Sequence, residues 1–523
     1  MLVGMACRND VFGVRTEPMK KVAFTAISMI ILAGVGCAAD GSDRNSEQDQ
    51  TVKLESSERT ESELKTATLA FSSGLANYDA AYTKAVGVIS SDIVDGKFIA
   101  GESWAQVWTR DTSYSIDLGA GLLQPAAAKN TLLGMTENVA DIGDVWVQDQ
   151  AGHFGGWPNL TDSIVGAQGA WSLYLTTADQ SLLEWSYGIT VNTLARAERD
   201  VYIEDAGLFG GCSSFMESNS GYPLKYAFTK TLLAKTKALS TNLLYYRGYV
   251  VAAQMGKRLG KDVGALEAKA AHLKDAINGH LWQEDLGYYA YFEDENGVKE
   301  TRMEGTGESF AILWGVADAR KTRSILANTP STPSGVPSLW PQYAEWMDYT
   351  KGDADYYHNG MVWPFVQGYW AWASTKGKSV SRVGYELDRI RALSEKNDTF
   401  QEFYQPETGT PDGSRRQLWS ASGYLSMVYH GLIGMSFDPN GVEFAPVVPS
   451  GFSHVTLDGI PYRNMTLNVT VNGTGTKIAK FTVDGHRTSS HRLPAHLTGT
   501  HQVEIRMANT SATDSDDSDD SDD

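Results

Sequence analysis

The segment Thr399-Phe-Gln-Glu-Phe-Tyr-Gln-Pro-Glu-Thr-Gly409, followed by Gln417-Leu-Trp-Ser-Ala-Ser-Gly-Tyr424, decides the fold. It places Glu402 between aromatic residues, then a turn containing Pro406 and Gly409, and then the start of a helix. Proline and glycine interrupt regular structure and supply turn conformations. Burial of Glu402 against its aromatic neighbours would tune its pKa. The segment therefore predicts a loop that presents one acid at the entrance to a helix.

The same arrangement recurs towards the N-terminus as helical patterns separated by long loops. Apolar residues return at helical spacing from about Leu64, first over 66–78. The loops are dense in Trp, Tyr, Gly, Pro and acids, and long loops in a compact domain usually carry function. This order predicts a mainly α fold with a closed ring of helical hairpins; a looser bundle is the alternative, and no constant repeat favours a solenoid. The further predicted helices are 113–123, 126–139, 164–175, 180–199, 226–259, 263–281, 309–314, 317–327, 362–373, 380–393 and 417–432.

The pattern changes after Met435. Segments 442–449, 455–457, 465–471, 478–483 and 501–507 alternate apolar and polar residues with a period of two, which is typical of strands. Asn472-Gly473 and Asp484-Gly485 supply turns between them. We therefore predict a small C-terminal antiparallel β-domain that ends near Met507.

The N-terminus is typical of a secretory signal. Two lysines, Lys20-Lys21, precede an apolar run from Val22 to Val35 that ends in small residues and Cys37, and Met19 is the expected start. The run is too short to span a membrane comfortably. The pattern predicts an exported protein of the periplasm, the outer membrane or the cell surface. Cys37 is the expected lipidated cysteine of a lipoprotein, with cleavage near Ala39 as the alternative.

Composition divides the chain further. Residues 40–63 are Ser, Glu, Asp and Gln with almost no large apolar residue, and residues 513–523 are a Ser/Asp repeat. Such stretches cannot bury enough apolar area to fold. The predicted segments are a signal peptide at 1–39, a flexible linker at 40–63, a helical catalytic domain at 64–435, a β-sandwich-like domain at 436–508 and an acidic tail at 509–523.

Charge and aromatic content narrow the class of ligand. The formal net charge is −19, which argues against nucleic acid because no basic stripe is present to meet phosphates. The chain has 14 tryptophans and 24 tyrosines, and those in loops can stack on the weakly apolar face of a sugar ring. His358 has no second histidine at ligand spacing, so we expect neither a metal nor a cofactor. A carbohydrate is the expected ligand, and a membrane is expected only through the lipid anchor.

Two motifs offer polar groups that could hold sugar hydroxyls. In Trp104-Ala-Gln-Val-Trp-Thr-Arg-Asp111, Arg110 beside Asp111 supplies fixed donors and an acceptor; a structural salt bridge at a helix start is the alternative. In Asp353-Ala-Asp-Tyr-Tyr-His-Asn-Gly-Met-Val-Trp-Pro364, polar and aromatic residues cluster on a loop that leads into a helix; a buried structural histidine is the alternative. The candidate residues of the second motif are His358, Asn359 and Trp363.

Two other loops offer an aromatic platform and a second acid. Gly155-Gly-Trp-Pro-Asn-Leu-Thr-Asp162 precedes a helix, and Trp157 suits a sugar platform, whereas Asp162 can simply cap the helix. Cys212-Ser-Ser-Phe-Met-Glu-Ser-Asn-Ser-Gly-Tyr-Pro223 places Glu217 among small polar residues on a loop. An ordinary exposed acid is the alternative for Glu217.

These motifs resemble those of six-hairpin glycosidases, especially glycoside hydrolase family 63, the family 37 trehalases and glycogen-debranching glucosidases. The segment 400–424 resembles their catalytic-base region, in which Trp-Ser-Ala begins a helix, and Trp419-Ser420-Ala421 matches it. Tyr357-His-Asn-Gly-Met-Val-Trp-Pro364 resembles a sugar-binding loop shared with α-rhamnosidases, and Trp108-Thr-Arg-Asp111 is similar to the Trp-x-Arg-Asp of glucoamylases. The motifs follow the superfamily order from about Trp104 to Met435.

The resemblance implies an (α/α)6 toroid and an inverting, exo-acting hydrolase of an α-linked gluco- or manno-type oligosaccharide. Glu402 is then the general base and Glu217 the general acid, although family 63 carries an aspartate beside Trp and Gly at the latter place. Inversion needs the two carboxyl groups about 6.5–9.5 Å apart, so that a water fits between them. The rivals of Glu217 are Asp162, Glu304 and Glu308. The implied sugar-binding residues are Trp108, Arg110, Asp111, Trp157, Tyr357, His358, Asn359, Trp363 and Trp419.

Two other functions stay open at the level of sequence. A sugar phosphorylase on the same toroid needs a phosphate pocket instead of a general base, and Arg415 and Arg416 beside the Glu402 loop could form one. A non-catalytic sugar-binding lipoprotein would keep the tryptophans and lose one acid. The sequence does not distinguish glucose from mannose.

Overall fold

A computed structural model describes residues 69–150, 154–227, 229–347 and 356–508. The predicted signal peptide, linker and acidic tail lie outside these ranges, so export and the lipid anchor stay predictions. Within these ranges, no helix is both long and apolar enough to cross a membrane.

α-Helices make up most of the described chain before Met435. Two π-helical stretches, Ile116–Ala120 and Met427–Leu432, continue α2 and α15 respectively. The helix bounds are α1 Ala76–Ser91, α2 Thr109–Ser115, α3 Gly121–Leu123, α4 Pro125–Leu133, α5 Val165–Thr177, α6 Gln180–Asp200, α7 Leu224–Ala227, α8 Lys230–Leu233, α9 Leu239–Arg258, α10 Gly264–Leu281, α11 Gly305–Leu313, α12 Ala319–Asn328, α13 Pro364–Lys376, α14 Val380–Asn397 and α15 Leu418–Ser426.

Six helices contact one another in chain order. α2 packs against α5, α5 against α9, α9 against α11, α11 against α13, α13 against α15, and α15 against α2. The other long helices pack against members of this set: α6 against α5 and α9, α10 against α9, α14 against α13, and α1 against α15. The set is largely apolar and buried; α13, for example, is buried from Pro364 to Ala371.

Small residues allow the closest of these contacts. Gly368 on α13 faces Gly423 on α15, and a Cβ on Gly368 would lie 2.6 Å from the Gly423 Cα. A Cβ on Gly423 would lie 2.3 Å from the carbonyl oxygen of Pro364. Any larger residue would therefore push apart the two helices whose N-terminal ends carry Trp363 and Trp419.

Short strands form hairpins between the helices, and longer strands form two sheets near the C-terminus. The strand bounds are β1 Ala70–Ser72, β2 Ile93–Val94, β3 Lys97–Phe98, β4 Thr136–Val139, β5 Gly143–Trp146, β6 Tyr202–Ile203, β7 Leu208–Phe209, β8 Lys237–Ala238, β9 Trp282–Gln283, β10 Tyr288–Tyr289, β11 Phe292–Glu293, β12 Lys299–Glu300, β13 Met303–Glu304, β14 Leu339–Trp340, β15 Phe403–Tyr404, β16 Pro411–Asp412, β17 Met435–Asp438, β18 Gly441–Phe444, β19 His454–Tyr462, β20 Met465–Asn472, β21 Ile478–Val483, β22 His486–Arg487, β23 Arg492–Pro494 and β24 Gly499–Met507.

The larger sheet has the strand order β1-β19-β20-β24-β21-β22, and the smaller one has the order β17-β18-β23. In β20, Met465, Leu467, Val469 and Val471 are buried and alternate with less buried residues, which is the predicted period-two pattern. The sheet is tied to the helices by Arg463, whose backbone N–H donates to the Thr176 carbonyl oxygen at 2.7 Å and whose Nε donates to that of Leu175 at 3.0 Å.

Four predictions on secondary structure were wrong in part. The predicted helix at 126–139 ends as α4 at Leu133, and its last four residues form the strand β4, which pairs with β5. The predicted helix at 66–78 contains β1, which pairs antiparallel with β19, and α1 begins only at Ala76. The predicted helix at 226–259 is broken into α7, α8, β8 and α9. The C-terminal domain is not wholly antiparallel, because β20 and β24 run parallel, with Met465 opposite Gly499. Apolar alternation indicates a strand but carries no information on the direction of its neighbour, and a short apolar run fits either a helix or a strand.

Candidate active site

Glu402 lies in a closely fitted pocket directly before β15, and its side chain is buried. Its carboxylate accepts a hydrogen bond from Trp104 Nε1 at 2.9 Å, one from the backbone N–H of Ser414 at 2.6 Å and one from the Tyr357 hydroxyl. Burial raises the pKa of Glu402 above its ordinary value, and the hydrogen bonds from Tyr357 and Ser414 oppose that rise. Because these groups donate to the carboxylate, they favour its ionised form, which is the form a general base needs.

The predicted Pro/Gly turn returns the chain to this acid. β15 pairs with β16, and the Glu402 backbone N–H donates to the Ser414 carbonyl oxygen at 2.9 Å. Gly413 has φ +73°, and a Cβ there would lie 2.5 Å from Glu402 Oε2. A side chain at position 413 would therefore displace the carboxylate, which explains why glycine is needed there.

Glu217 lies on the loop that follows β7. Arg110 Nη2 donates to its Oε1 at 3.0 Å, whereas its Oε2 is buried and has no hydrogen-bond partner among the described residues. The side chain keeps 13% of its surface exposed. Burial raises the pKa of Glu217 to about 7, although Arg110 lowers it. A carboxyl group that is about half protonated at neutral pH and has one unpaired oxygen suits proton donation.

The loop that carries Glu217 is held in a left-handed backbone conformation. Phe215 has φ +59°, which costs an ordinary residue about 1–3 kcal/mol and is tolerated when the surroundings fix it. The Phe215 N–H donates to Asp162 Oδ2 at 3.2 Å, and Ser214 Oγ donates to the same oxygen at 2.7 Å. Gln148 Nε2 donates to the other oxygen of Asp162 at 3.0 Å. Oδ2 of Asp162 thus holds the loop, and its Oδ1 is used by Gln148.

The other two rivals of Glu217, Glu304 and Glu308, also form hydrogen bonds with the protein interior. Glu304 accepts from Ser213 Oγ at 2.5 Å and from the Ser240 N–H at 3.2 Å, and it is fully buried. Glu308 is fully buried too and accepts from the Tyr289 N–H at 2.8 Å. Burial raises the pKa of Glu304 to about 7 as well, so the pKa does not single out Glu217. An unpaired oxygen does not single it out either, because Oε2 of Glu308 has no partner among the described residues. The contact with Arg110 and the remaining exposure distinguish Glu217.

The charges of both Glu402 and Glu217 act on two other side chains. The pKa of Tyr357 is raised well above its ordinary value by burial, then by the carboxylate of Glu402, and then by that of Glu217. The pKa of Asp111 is raised mainly by burial; Arg110 lowers it, and nearby carboxylates, including those of the two glutamates, raise it further. The hydrogen bonds agree with this proximity: Tyr357 donates to Glu402, and the adjacent His358 accepts from the N–H of Ser218, the neighbour of Glu217, so one loop brings the two acids to a common space.

Arg110 is the positively charged side chain beside Glu217, and it is almost completely buried. Besides Glu217, it lies 3.7 Å from Asp149 Oδ2 and 3.9 Å from Asp162 Oδ2. Its Nε and Nη1 have no hydrogen-bond partner among the described residues. These two nitrogens lie nearest the carboxylates of Asp162 and Asp149, so the guanidinium is held among three acids and its charge is fixed beside Glu217.

His358 presents a defined donor. Its Nδ1 accepts from the Ser218 N–H at 3.2 Å, and burial, followed by the charge of Arg110, lowers the pKa of His358 well below its ordinary value. The ring is therefore neutral at physiological pH, and the proton resides on Nε2. That atom is buried and unpaired among the described residues. It can donate to a sugar hydroxyl.

Aromatic rings connect these groups. Trp363 stacks on Phe403 with ring centres 5.1 Å apart and meets the Trp419 ring edge-on at 5.7 Å. The Tyr357 ring meets Trp363 edge-on at 5.0 Å. Within the described ranges, the buried polar atoms of these motifs that lack a partner are Trp108 Nε1, Arg110 Nε and Nη1, Glu217 Oε2, Asn219 Oδ1, His358 Nε2, Trp363 Nε1, Gln417 Oε1 and Trp419 Nε1. Unsatisfied buried donors and acceptors are costly, so such a cluster indicates a binding site.

Two of the predicted sugar-binding residues have other contacts. Asn359 is fully buried, and its amide exchanges two hydrogen bonds with the backbone of Tyr343, one from the Tyr343 N–H at 2.7 Å and one to the Tyr343 carbonyl at 2.9 Å. Trp157 carries the guanidinium of Arg196 at 4.2 Å from its ring centre. Asn359 therefore holds the loop, and one face of Trp157 is already covered, so the structure brings neither side chain to the two acids.

We expect Asn359→Ala to destabilise the fold by about 2 kcal/mol, because it leaves two buried backbone groups of Tyr343 without partners. The free energy of unfolding in urea measures this. Asn440→Ala, at an exposed turn, is the control and should stay within about 0.5 kcal/mol of the parent. A stable Asn359→Ala protein that has lost only substrate affinity would instead support the binding role predicted from the sequence.

Two residues that contact acids of the candidate site were not predicted from the sequence. Trp104, 39% exposed, donates to Glu402, and Gln417 Nε2 donates to Asp111 Oδ1 at 3.2 Å. Both residues stand in quoted motifs, but an exposed tryptophan and a glutamine before a helix carry no specific signal alone. Their roles follow only from the approach of the segments 101–111 and 411–419.

Known proteins share this domain. Residues 218–420 match the family described as the mannosylglycerate hydrolase MGH1-like glycoside hydrolase domain. A mannosylglycerate hydrolase of Rubrobacter radiotolerans is 28% identical over 193 residues, which cover 34% of this chain and 40% of that protein. The chain thus matches less than half the length of this relative. These matches confirm the predicted resemblance to glycoside hydrolase family 63 and its six-hairpin relatives.

Solved structures agree on the fold. The GH63 mannosylglycerate hydrolase from Thermus thermophilus, in complex with Tris and D-glycerate, matches with a TM-score of 0.55 at 16% identity, covering 66% of this chain and 100% of that one. The GH78 rhamnosidase of Bacillus sp. GL1 matches with a TM-score of 0.56 at 14% identity, covering 84% of this chain and 44% of that one. The mainly helical fold with a sheet-rich part is the fold of these enzymes.

Proposed function

We propose that the chain is an inverting, exo-acting glycoside hydrolase of an α-linked gluco- or manno-type substrate, with Glu402 as general base and Glu217 as general acid. One observation carries the proposal: the adjacent residues Tyr357 and His358 connect the two acids, because Tyr357 donates to Glu402 and His358 accepts from the N–H of Ser218, the neighbour of Glu217, and unpaired polar atoms lie around them. Acids on opposite sides of a sugar are the arrangement that glycoside hydrolysis requires.

The proposed reaction is a single displacement. The proton of Glu217 moves to the glycosidic oxygen as the bond from that oxygen to the anomeric carbon breaks. A water attacks the anomeric carbon from the opposite face, and its proton moves to Glu402. Arg110, Asp111 and His358 offer fixed partners for the hydroxyls of the terminal sugar, and Trp104 and Tyr357 hold the base in place.

The proposal includes the (α/α)6 toroid and the C-terminal β-domain. The succession of contacts from α2 through α5, α9, α11, α13 and α15 back to α2 supports an inner ring of six helices. The site residues support a location at the N-terminal ends of these helices, since Arg110, Trp363 and Trp419 stand at the starts of α2, α13 and α15. The two sheets that include β17 to β24 support the separate β-domain.

The names of the relatives suggest the first substrates to assay. Mannosylglycerate, glucosylglycerate and α-linked gluco- and manno-disaccharides should be incubated with the protein in buffer without phosphate, and the released sugar measured. Release of a free monosaccharide from at least one of them is the expected result. Turnover that requires phosphate would instead support a phosphorylase, and tight binding without product would support a binding protein.

The contacts of Arg416 do not favour the phosphorylase. Arg416 Nε donates to Asp92 Oδ1 at 2.8 Å, and Asp92 is fully buried. This arginine is thus already neutralised and is poorly placed to attract a phosphate. Arg415 is exposed.

The pKa of Glu217 predicts the alkaline limit of activity. The group must be protonated to donate, so kcat/KM should fall as the pH rises through about 7. Arg110 lowers this pKa, so Arg110→Met should move the alkaline limit to higher pH as well as weaken substrate binding. Initial rates measured from pH 4 to 10 test both statements. An alkaline limit that stays in place in Glu217→Gln would assign it to another group.

A further inference from the structure

A second cavity lies apart from the two acids. Its volume is about 400 Å³. Its walls come from the later parts of the helices α5 and α13, Arg247 in the middle of α9, the π-helical stretches after α2 and α15, and the hairpin of β17 and β18. None of Glu402, Glu217 and Arg110 lines it. A cavity of this size accommodates a small organic molecule.

Cations without carboxylate partners gather at this cavity. Arg247, half-buried on α9, uses Nε to donate to Gln168 Oε1 at 2.7 Å, and the structure gives its two terminal nitrogens no partner among the described residues. Lys376, at the end of α13, donates to the Leu313 carbonyl at 2.6 Å, and the neighbouring Lys274 donates to that of Gly315 at 2.7 Å. Within the described ranges, none of these three cations has a carboxylate oxygen within 4.0 Å.

These cations repel one another. Burial lowers the pKa of Lys376, and the charges of Arg247 and Lys274 lower it further. Burial likewise lowers the pKa of Arg247, with Asp117 acting in the opposite direction. The chain has a net charge of −19, yet these three cations have no carboxylate in direct contact among the described residues. A desolvated cation gains most from an anion that approaches it directly.

The acids that line the cavity are already engaged. Asp117 accepts hydrogen bonds from Ser172 Oγ at 2.5 Å, Gln168 Nε2 at 2.8 Å and the Tyr369 hydroxyl at 2.9 Å. Glu443 forms an ion pair with Arg492 at 2.8 Å. Neither acid forms a direct ion pair with Arg247; the charge of Asp117 acts on it from a distance, and the network around Asp117 fixes Gln168, which in turn orients the guanidinium.

Aromatic rings complete the walls. Trp372 stacks on His430 with ring centres 3.8 Å apart and planes 8° apart, and Trp314 also lines the cavity. Burial lowers the pKa of His430, so its ring adds no charge at neutral pH. Flat apolar walls with one cationic end suit a small organic acid better than a bare metal cation or a second sugar chain.

We propose that this cavity is a binding site for a small oxyanion, a carboxylate or phosphate of monosaccharide size or below, held by Arg247 and Lys376. The site is separate from the proposed active site. The alternative is a purely structural role, in which Lys376 caps the Leu313 carbonyl at the end of α11, Arg247 holds Gln168, and no anion binds.

Calorimetric titration of the whole protein with inorganic phosphate and, separately, with D-glycerate tests the proposal, at constant ionic strength. We expect at least one probe to bind, and Arg247→Met and Lys376→Met to weaken that binding by at least about tenfold. Arg320→Met, at an exposed pair with Glu284, is the matched control and should bind as the parent does. Lys376 lies at the exposed rim of the cavity, so Lys376→Met should fold even if Arg247→Met does not. The loss of binding can then be measured with Lys376→Met alone.

Arg110→Met separates this cavity from the active site, where an anion could also meet an arginine. Binding that survives Arg110→Met and is lost in Arg247→Met and Lys376→Met supports the proposal, and the preferred probe identifies the class of anion. Absence of binding by both probes would overturn it. So would binding that is lost in Arg110→Met and kept in both cavity variants. None of these outcomes depends on turnover, so the proposed function is tested independently.

Discussion

Glu402→Gln is expected to lower kcat by at least about 10²-fold while the protein stays folded. The amide has nearly the shape of the carboxylate, and its oxygen can still accept from Trp104 or Ser414. It cannot take a proton from water, however, so only the base function is removed. Initial rates on a confirmed substrate, with thermal unfolding of the same samples, measure the effect.

The loop that carries Glu402 offers a matched control. Glu407 is an exposed acid on the same turn. Glu407→Gln changes the net charge by the same amount and should leave kcat within about twofold, since surface changes away from special features have small effects. Near-normal turnover in Glu402→Gln would remove Glu402 from the role of base.

Glu217→Gln should show an effect that depends on the leaving group. With a sugar alcohol or hydroxy acid as leaving group, loss of the proton donor should lower kcat about 10²- to 10⁴-fold. With a dinitrophenyl glycoside, whose leaving group departs without a proton, the loss should shrink to less than about tenfold. A merely structural role for Glu217 would lower both rates together, so the ratio of the two losses identifies a proton donor.

The rival acids supply the controls for this second prediction. Glu304→Gln and Asp162→Asn retain oxygens that can accept from Ser213 and Ser214, so they should alter both substrates equally. A leaving-group-dependent loss in Glu304→Gln, with a normal profile in Glu217→Gln, would move the acid function to Glu304. The unpaired Oε2 of Glu217 and its exposure to the site argue for the first outcome.

The part of the site that could be predicted from the sequence is the part built from local order. Glu402, its turn and the helix that follows are close together in the chain, so the relation between the acid and Trp419 is already determined by the turn and the helix start. Arg110 and Asp111 are likewise adjacent at the start of α2. The candidate acid Glu217 has a weaker local signal, because the contact that distinguishes it, with Arg110, joins residues 107 positions apart.

Other parts of the fold and the site depend on contacts between distant residues, which sequence patterns do not predict. The role of Asn359 follows from a contact with Tyr343, and the strand β1 is defined by its pairing with β19, which lies far along the chain. The parallel pairing of β20 with β24 and the cations around Arg247 also arise only in three dimensions. Local propensity is a weak guide where the partner is distant, because tertiary contacts then decide the structure.

The stereochemistry of the first product tests the central claim most directly. Hydrolysis of an α-linked substrate should be followed by proton NMR, with spectra recorded faster than the released sugar mutarotates. An inverting enzyme with Glu402 as base and Glu217 as acid must release the β anomer first, and the α anomer should appear only later by mutarotation. Initial release of the α anomer would show retention through a covalent intermediate and would contradict the proposed roles of the two acids.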